Sequence, residues 1–485
     1  MSNIKLSINQ AIEEHSLPSD WSNSIKSELK NIDLKFSDCR KNLCQKPFVT
    51  IDGKDAKDFD DAIFCKSHSK GFDLWVAIAD VAEVVIENSA IDKEALNRGT
   101  SIYFPNTVIP MLPEKISNNI CSLVPNKNRN VLVCKIKFDL TAEILSYDFF
   151  EAIICSFKRF TYSEISEFSK NNSGISKSIE ALKILTNKLL KNRLKRNALE
   201  IESQEASLVL DQNGSLKKIN IPKRLFAHQM IEESMISANI CAAKFIKKNY
   251  GLGVYRVHEE PDYFKVESLR KFFSLKGQSS SNMKNPLDQI NSFIKHSRKA
   301  EEKKILNILI LQSLKRAKYS IEEIGHFGLQ LKEYSHFTSP IRRYPDLIAH
   351  RLIKNVLRNK KLNITKDSLE ITLEDLSRLE KRAEIASRQV IQQMICYKLK
   401  NFVGEEFSTY VMGVTEFGVF CEIEGYFISG LVHVSDLQKD RYIYDNQANI
   451  LKGRRTGKTY RVGQKINVQL VSVVPEERKI ALVPK

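Results

Sequence analysis

Five carboxylates fall within ten positions of the segment TIDGKDAKDFDDAIF (residues 50–64): Asp52, Asp55, Asp58, Asp60 and Asp61. Apolar residues bracket them, with Phe48, Val49 and Ile51 before and Ala62, Ile63 and Phe64 after. Carboxylates this crowded resist ionising together unless a cation meets them. An EF-hand needs oxygen ligands at loop positions 1, 3 and 5 and a Glu at position 12. A loop starting at Asp52 offers Lys54, Ala56 and Ile63 there, and one starting at Asp58 reaches Ala62 and Ser69, so neither fits. A magnesium site does fit, because Mg²⁺ takes carboxylate oxygens and keeps several waters. Two such ions can activate a water and stabilise a leaving oxygen at phosphorus, and that chemistry needs about four converging carboxylates. A strand ending at Asp52, followed by a turn through Gly53, returns Asp58, Asp60 and Asp61 beside it.

The elements that must hold this segment are legible around it. Strands are expected at FVTID (48–52), DAIFCKS (61–67), FDLWVAIADVAEVV (72–85) and RNVLVCKIKFDL (129–140) from their β-branched runs. SIYFPNTVIPMLPEK (101–115) carries three prolines and is expected to be an extended loop. Residues 178–200 read as a basic helix. Ile231, Met235, Ala238, Ala242 and Phe245 recur at helical spacing, as do Leu373, Leu376, Leu379, Ala386, Val390 and Tyr397 in a long helix ending near Leu399. After Asn401 the texture becomes short strands and Gly turns, which suits a small all-β barrel of OB type over 403–485.

The chain of 485 residues exceeds one ordinary core, and its 42% hydrophobic and 27% charged residues are those of a globular protein. A formal net charge of +17 favours a polyanionic partner. The nine cysteines form no CxxC pair, which argues against zinc and for reduced, mostly buried thiols. The N-terminus has no signal-peptide pattern, and the longest apolar run, ILNILILQSL (305–314), is too short to span a bilayer. A cytoplasmic monomer is expected, without membrane contact. In a basic chain the carboxylate cluster points to a phosphodiesterase.

The segment TIDGKDAKDFDDAIF resembles the signature of the ribonuclease II/ribonuclease R family, the RNB-domain exoribonucleases. IDKEALNRGTSIYFPNTVIPMLP (91–113), MIEESMISANICAAKF (230–245) and AKYSIEEIGHFGLQLKEYSHFTSPIRRYPDLIAHR (317–351) are similar to further family segments, in the same order. GVTEFGVFCEI (413–423) and GLVHVSDL (430–437) are similar to the S1 domain of ribonuclease R. The resemblance implies an α+β RNB catalytic domain over 47–400, followed by an OB-fold S1 domain over 403–485. Residues 1–46 are similar to the linker that precedes the RNB domain. The implied activity is Mg²⁺-dependent, processive 3′-to-5′ hydrolysis of single-stranded RNA to 5′-nucleoside monophosphates, of exoribonuclease II type.

The same resemblance assigns Asp52, Asp58, Asp60 and Asp61 to metal and water. Asp52 and Asp61 are the favoured direct ligands, Asp58 supports a second ion, and loss of Asp60 stops chemistry. Asp55 matches a position the family does not use. Arg342 matches the catalytic arginine, whose planar fork suits a scissile phosphate, while Arg343 is given a structural ion pair. Tyr162 and Glu232 match residues that hold the terminal nucleotide, with Glu233 the lesser of its pair. Tyr103 matches an aromatic that stacks on a base. Ile201 stands where a second clamping aromatic, Phe, is common. Phe417, Phe420 and His433 match RNA-facing positions of S1 domains, with Lys452, Arg454, Arg455, Lys458 and Arg461 as phosphate contacts. His326, His336 and His350 lack zinc spacing and are read as core or phosphate-contact residues. The family usually carries two cold-shock domains ahead of the RNB domain, and the 46 residues here resemble neither. Two rivals stand: a catalytically inactive RNA-binding regulator on the same scaffold, expected to lose some of Asp52, Asp58, Asp60, Asp61 and Arg342, and a two-metal DNase.

Overall fold

The computed structural model describes residues 2–168, 173–200, 206–274, 285–296, 300–362, 364–437, 440–445 and 450–485. Its N-terminal two-thirds are organised around one seven-stranded sheet. In chain order the strands are β1 (Lys41–Asn42), β2 (Val49–Asp52), β3 (Asp61–His68), β4 (Gly71–Ala79), β5 (Ile102–Phe104), β6 (Thr107–Ile109), β7 (Asn128–Phe138), β8 (Ile144–Cys155) and β9 (Lys158–Thr161). β5 and β6 form a separate hairpin, and the sheet order is β1-β8-β7-β4-β3-β2-β9. Its long central strands are antiparallel, whereas β2 lies parallel to β9 in a register that sets Asp52 beside Thr161.

β4 is buried at nearly every position because helices pack over the sheet. Helices Gly174–Lys195 and Phe226–Tyr250 pack against β3, β4 and β7 and against each other. The second buries Met230, Ile231, Ala238, Cys241 and Ala242 and stops at Gly251, whose φ of 68° is the left-handed conformation glycine adopts without a steric penalty. All nine cysteines are free thiols, and six are buried.

The chain leaves two of the expected elements early or late. The strand expected over 72–85 stops at Ala79, and Val81–Val84 forms a helical turn instead, because Asp80 is drawn into a buried ion-pair cluster. The proline-rich stretch is not all extended loop. Pro105 and Asn106 form a turn in which Asn106 takes φ 64°, and this closes the β5–β6 hairpin.

The C-terminal residues close a five-stranded barrel: Glu406–Thr415, Gly418–Ile423, Ser429–His433, Lys465–Val474 and Lys479–Pro484. A small three-stranded sheet, Tyr442–Asp445, Ile450–Gly453 and Thr459–Arg461, is inserted in it. Helix Lys366–Leu399 joins the two halves. Its first turns bury Leu369, Leu373 and Leu376 in the sheet's core, and its later turns bury Ala386, Val390 and Met394 in the core shared with the barrel. Helix Asn3–Glu14 lies along it and reaches the barrel, where the Gln10 amide donates to the Glu476 carbonyl at 3.1 Å.

Candidate active site

β2 ends at Asp52 and β3 begins at Asp61, so the acidic segment is the connection between two adjacent strands. The connection does not project into solvent. Its last residues are tied to the body of the sheet, with Ala79 N–H donating to the Asp60 carbonyl at 2.8 Å and Leu123 N–H to the Phe59 carbonyl at 3.0 Å. Asp52, Asp58, Asp60 and Asp61 therefore line one cavity of about 840 Å³, together with Tyr103, Ser339 and Arg342.

The four carboxylates have different surroundings. Asp60 is 5% exposed; one of its oxygens accepts the Ile341 N–H at 2.9 Å, and the other lies 3.7 Å from Arg342 Nε. Burial pushes its carboxyl well above the usual range, against the pull of Arg342 and of that N–H. Burial also pushes Asp61 up to about 7, helped by the neighbouring Asp52 charge and opposed by Arg342. Asp61 Oδ2 is buried and meets no hydrogen-bond partner among the described residues. Asp52 accepts the Gly53 N–H at 2.7 Å, yet burial and Asp58 still raise its pKa. Asp58 accepts the Tyr103 hydroxyl at 3.2 Å.

Arg342 comes from a segment almost 300 residues further on. Ser101 N–H and the Thr100 hydroxyl donate to its carbonyl at 3.0 and 2.9 Å, which fixes it against the strand leading into β5. Its side chain remains 44% exposed in the cavity wall. Six carboxylates line the cavity, these four with Asp55 and Glu114, against two cations, Lys57 and Arg342, so acids outnumber bases in its wall. Arg343 points the other way and pairs with the buried Asp346 at 2.7 Å.

A second acidic cluster shows what compensation looks like in this molecule. Asp80, Glu83 and Glu151 lie close enough to share an ion, but Arg40, Lys354 and Arg358 already interleave them at 2.5–3.2 Å. Burial opposes the charge on Asp80, and the Lys354 and Arg40 cations outweigh it, holding the carboxyl at about 2. Three anions meet three cations there, so that cluster has no need of a metal, whereas the Asp52–Asp61 cluster has a deficit and an orphaned oxygen.

Tyr103, on β5, is 45% exposed at the cavity mouth. Tyr162 opens the short helix after β9, in the register that sets Asp52 beside Thr161. Burial raises the pKa of its hydroxyl, and so do the Asp52 and Asp61 charges. Sequence reasoning missed its neighbour: Tyr162 stacks on His228 at 3.9 Å and 16°. Glu232 lies one turn along the same helix. Both its oxygens are engaged, one by Arg193 at 2.6 Å and the other by Arg224, and Arg193 also holds the buried Glu233 at 2.9 Å. The spacing of His228 and Glu232 was a usable signal; Arg193 and Arg224 lie outside any motif. Ile201 falls outside the described residues.

His326, His336 and His350 are packed against other rings. His350 is fully buried, stacks on Phe337 at 4.5 Å and donates to the Phe337 carbonyl at 2.8 Å. His336 hydrogen-bonds the Tyr319 hydroxyl at 2.9 Å, and His326 meets the His258 ring edge-on at 5.1 Å. In the barrel Phe417 and Phe420 meet edge to face at 5.9 Å, and His433 pairs with Gly418 on the adjacent strand. Lys452, Arg454, Arg455 and Arg461 are exposed on the inserted sheet and its turn, while Lys458 lies over Tyr460.

Comparison with known proteins gives the family of the chain. The RNB domain matches residues 40–359, and the S1 RNA binding domain matches residues 400–483. The chain belongs to the RNB-domain ribonuclease family. It is 39% identical to ribonuclease R of Buchnera aphidicola subsp. Schizaphis graminum over 98% of its own length and 68% of that relative. Ribonuclease R of Escherichia coli K12 is 36% identical over 98% of this chain, which spans 61% of the relative's length. The solved structure of Mycoplasma genitalium RNase R in complex with ribose-methylated single-stranded RNA superposes with a TM-score of 0.93 at 29% identity, covering all of this chain and 78% of that one. The RNB-then-S1 order and the closed C-terminal barrel are those of this family.

Proposed function

We propose that the chain is a metal-dependent 3′-to-5′ exoribonuclease that shortens single-stranded RNA to 5′-nucleoside monophosphates at the Asp52–Asp61 cavity. The observation that carries this reading is the uncompensated carboxylate cluster. Asp52, Asp60 and Asp61 are desolvated and Asp61 Oδ2 is orphaned, whereas the Asp80, Glu83 and Glu151 cluster is balanced by three cations. Hard oxygen donors of this kind suit Mg²⁺, with Asp52, Asp58, Asp60 and Asp61 as the residues that would hold it. When bound there, Mg²⁺ supplies charge compensation and Lewis-acid activation at phosphorus.

The rest of the chemistry belongs to the chain. Arg342, exposed in the wall and steered by Asp60, offers a planar fork to the non-bridging oxygens of the scissile phosphate. Tyr103 offers a face to a base at the mouth. Tyr162, held flat by His228, borders the place of the terminal nucleotide, and Glu232 acts there through Arg193 and Arg224. Phe417, Phe420, His433 and the basic inserted sheet hold the strand upstream. Single-stranded RNA as the substrate is supported by the RNA complex of the Mycoplasma relative. A binding-only regulator is disfavoured because all four aspartates and Arg342 are present in one cavity.

The test is a denaturing gel of 5′-labelled RNA and matched DNA incubated with the protein and Mg²⁺. Stepwise shortening of RNA to a short labelled remnant, with DNA unchanged, is expected. Release of the 5′ label as mononucleotide, equal loss of DNA, or no shortening overturns the proposal.

A further inference from the structure

Residues 53–60 form neither helix nor strand, yet they must present Asp58 and Asp60 at fixed positions against Asp52 and Asp61. Irregular backbone of this kind is fixed only where its N–H and C=O groups find partners outside it. Beyond the Ala79 and Leu123 amides that hold its last residues, two side chains supply them. Arg159, on β9, donates from Nη2 to the carbonyls of Gly53 and Lys54, both at 2.6 Å. Its guanidinium carbon also lies 5.2 Å from the centre of the Phe59 ring, so one side chain touches the first two residues of the connection and the residue just before Asp60. Ser122 is fully buried, and its hydroxyl works both ways: it donates to the Lys57 carbonyl at 2.7 Å and accepts the Phe59 N–H at 3.0 Å, bracketing Asp58. Ser122 is itself held, since Arg129 Nε donates to its carbonyl at 2.9 Å.

We infer that Arg159 and Ser122 are positioning residues for the metal site: they hold the backbone on both sides of Asp58 so that four carboxylates converge, and they touch neither metal nor RNA. The inference rests on the functional reading above and extends it to residues 60–100 positions away from the acidic motif. The position of Arg159 fits the task, because β9 runs parallel to β2 and places residue 159 beside Thr50, two residues before the connection leaves the sheet. Its charge also lowers the pKa of Asp52, so one cation both ties the loop and offsets part of the local negative charge.

Residues that orient metal ligands from behind typically change metal affinity or activity by about 10- to 100-fold when replaced. The experiment titrates Mn²⁺, as a spin-active substitute for Mg²⁺, into the full-length parent, Arg159→Met, Arg159→Lys and Ser122→Ala, reading free Mn²⁺ by electron paramagnetic resonance. RNA affinity is measured separately in EDTA by filter binding, and thermal unfolding is recorded for each protein. The expected result is a half-saturation raised about 10- to 100-fold in Arg159→Met and Ser122→Ala. RNA affinity in EDTA should stay within about twofold, and Arg159→Lys should recover part of the loss by reaching the same carbonyls. Unchanged Mn²⁺ half-saturation in folded Arg159→Met and Ser122→Ala overturns the inference, as does a loss of RNA affinity equal to the loss of metal affinity. A parent that binds Mn²⁺ but leaves RNA intact overturns the proposed function alone, and a parent that binds no Mn²⁺ overturns both.

Discussion

Replacing Lys354 with Met removes one of the three cations that balance Asp80, Glu83 and Glu151. Lys354 Nζ lies 2.7 and 2.6 Å from the two oxygens of Asp80, whose side chain is wholly buried, and 2.7 Å from Glu83. Met keeps the length and apolar volume of the stem, so the change isolates the charge. Breaking a buried pair by deleting one partner costs roughly 3–5 kcal/mol, because an uncompensated charge is left behind. The pH dependence follows from the depressed carboxyl of Asp80. With its pKa at about 2 in the fold and near 3.9 in the unfolded chain, ionised Asp80 contributes about 2.5 kcal/mol. That contribution is present in full above pH 3.9 and is lost as pH falls through about 2. In Lys354→Met, burial is opposed mainly by Arg40, so Asp80 takes up a proton at higher pH and its penalty is relieved. Urea unfolding followed by the fluorescence of Trp75, buried in β4, should show the largest deficit at pH 7 and a smaller one at pH 4. A deficit below about 1 kcal/mol at pH 7, the value of an exposed pair, would show that Lys354 does not compensate a buried charge, as would a deficit that stays constant from pH 7 to 4.

Tyr103→Ala should weaken the grip on short RNA by about 5- to 150-fold, from ~1–3 kcal/mol of stacking, and leave longer limit products on a denaturing gel; an unchanged limit size would make Tyr103 a packing residue. Burial holds the His350 pKa at about 4 against 6.5 unfolded, so the unfolded chain binds the extra proton. Stability should therefore be full above pH 6.5 and decline toward pH 4 by about 3 kcal/mol, and urea midpoints of the parent and of His350→Gln, which should show a flatter decline, would measure it. RNA affinity should fall with salt, log K against log salt having a slope near −0.7 per phosphate contacted on a single strand; a flat salt series would count against the basic barrel insertion as a contact surface.

The convergence of the carboxylates was legible because they sit in one short segment whose composition is costly unless something meets it. Five aspartates beside β-branched residues could be read as a strand, a turn and a strand, and residues 49–68 form that connection. The long helix through Leu373 and Val390 was legible from its spacing, though not that it changes cores midway. Two local readings failed for identifiable reasons. The apolar run 72–85 hid a strand end because Asp80 is a core residue whose partners, Arg40 and Lys354, lie 40 and 274 positions away. Three prolines masked a hairpin because only Pro105 lies between the two strands, at the turn, where it helps. Arg159 and Ser122 carry no pattern in the sequence. Each acts through long-range contacts to backbone or ring, and spacing does not report such contacts.

The proposed function requires the Asp52–Asp61 cavity to be a hydrolytic centre and not only a place where RNA binds. Asp60 is the residue to change, since it is buried and joins Ile341 and Arg342 to the cluster. The measurement is the release of 5′-nucleoside monophosphate from 3′-labelled RNA by Asp60→Asn and by the parent, in Mg²⁺, at protein concentrations where filter binding shows the RNA saturated. Stoichiometric release by the parent and none above background by Asp60→Asn, at equal RNA occupancy, is the expected result. Release by Asp60→Asn at the parental rate would contradict it.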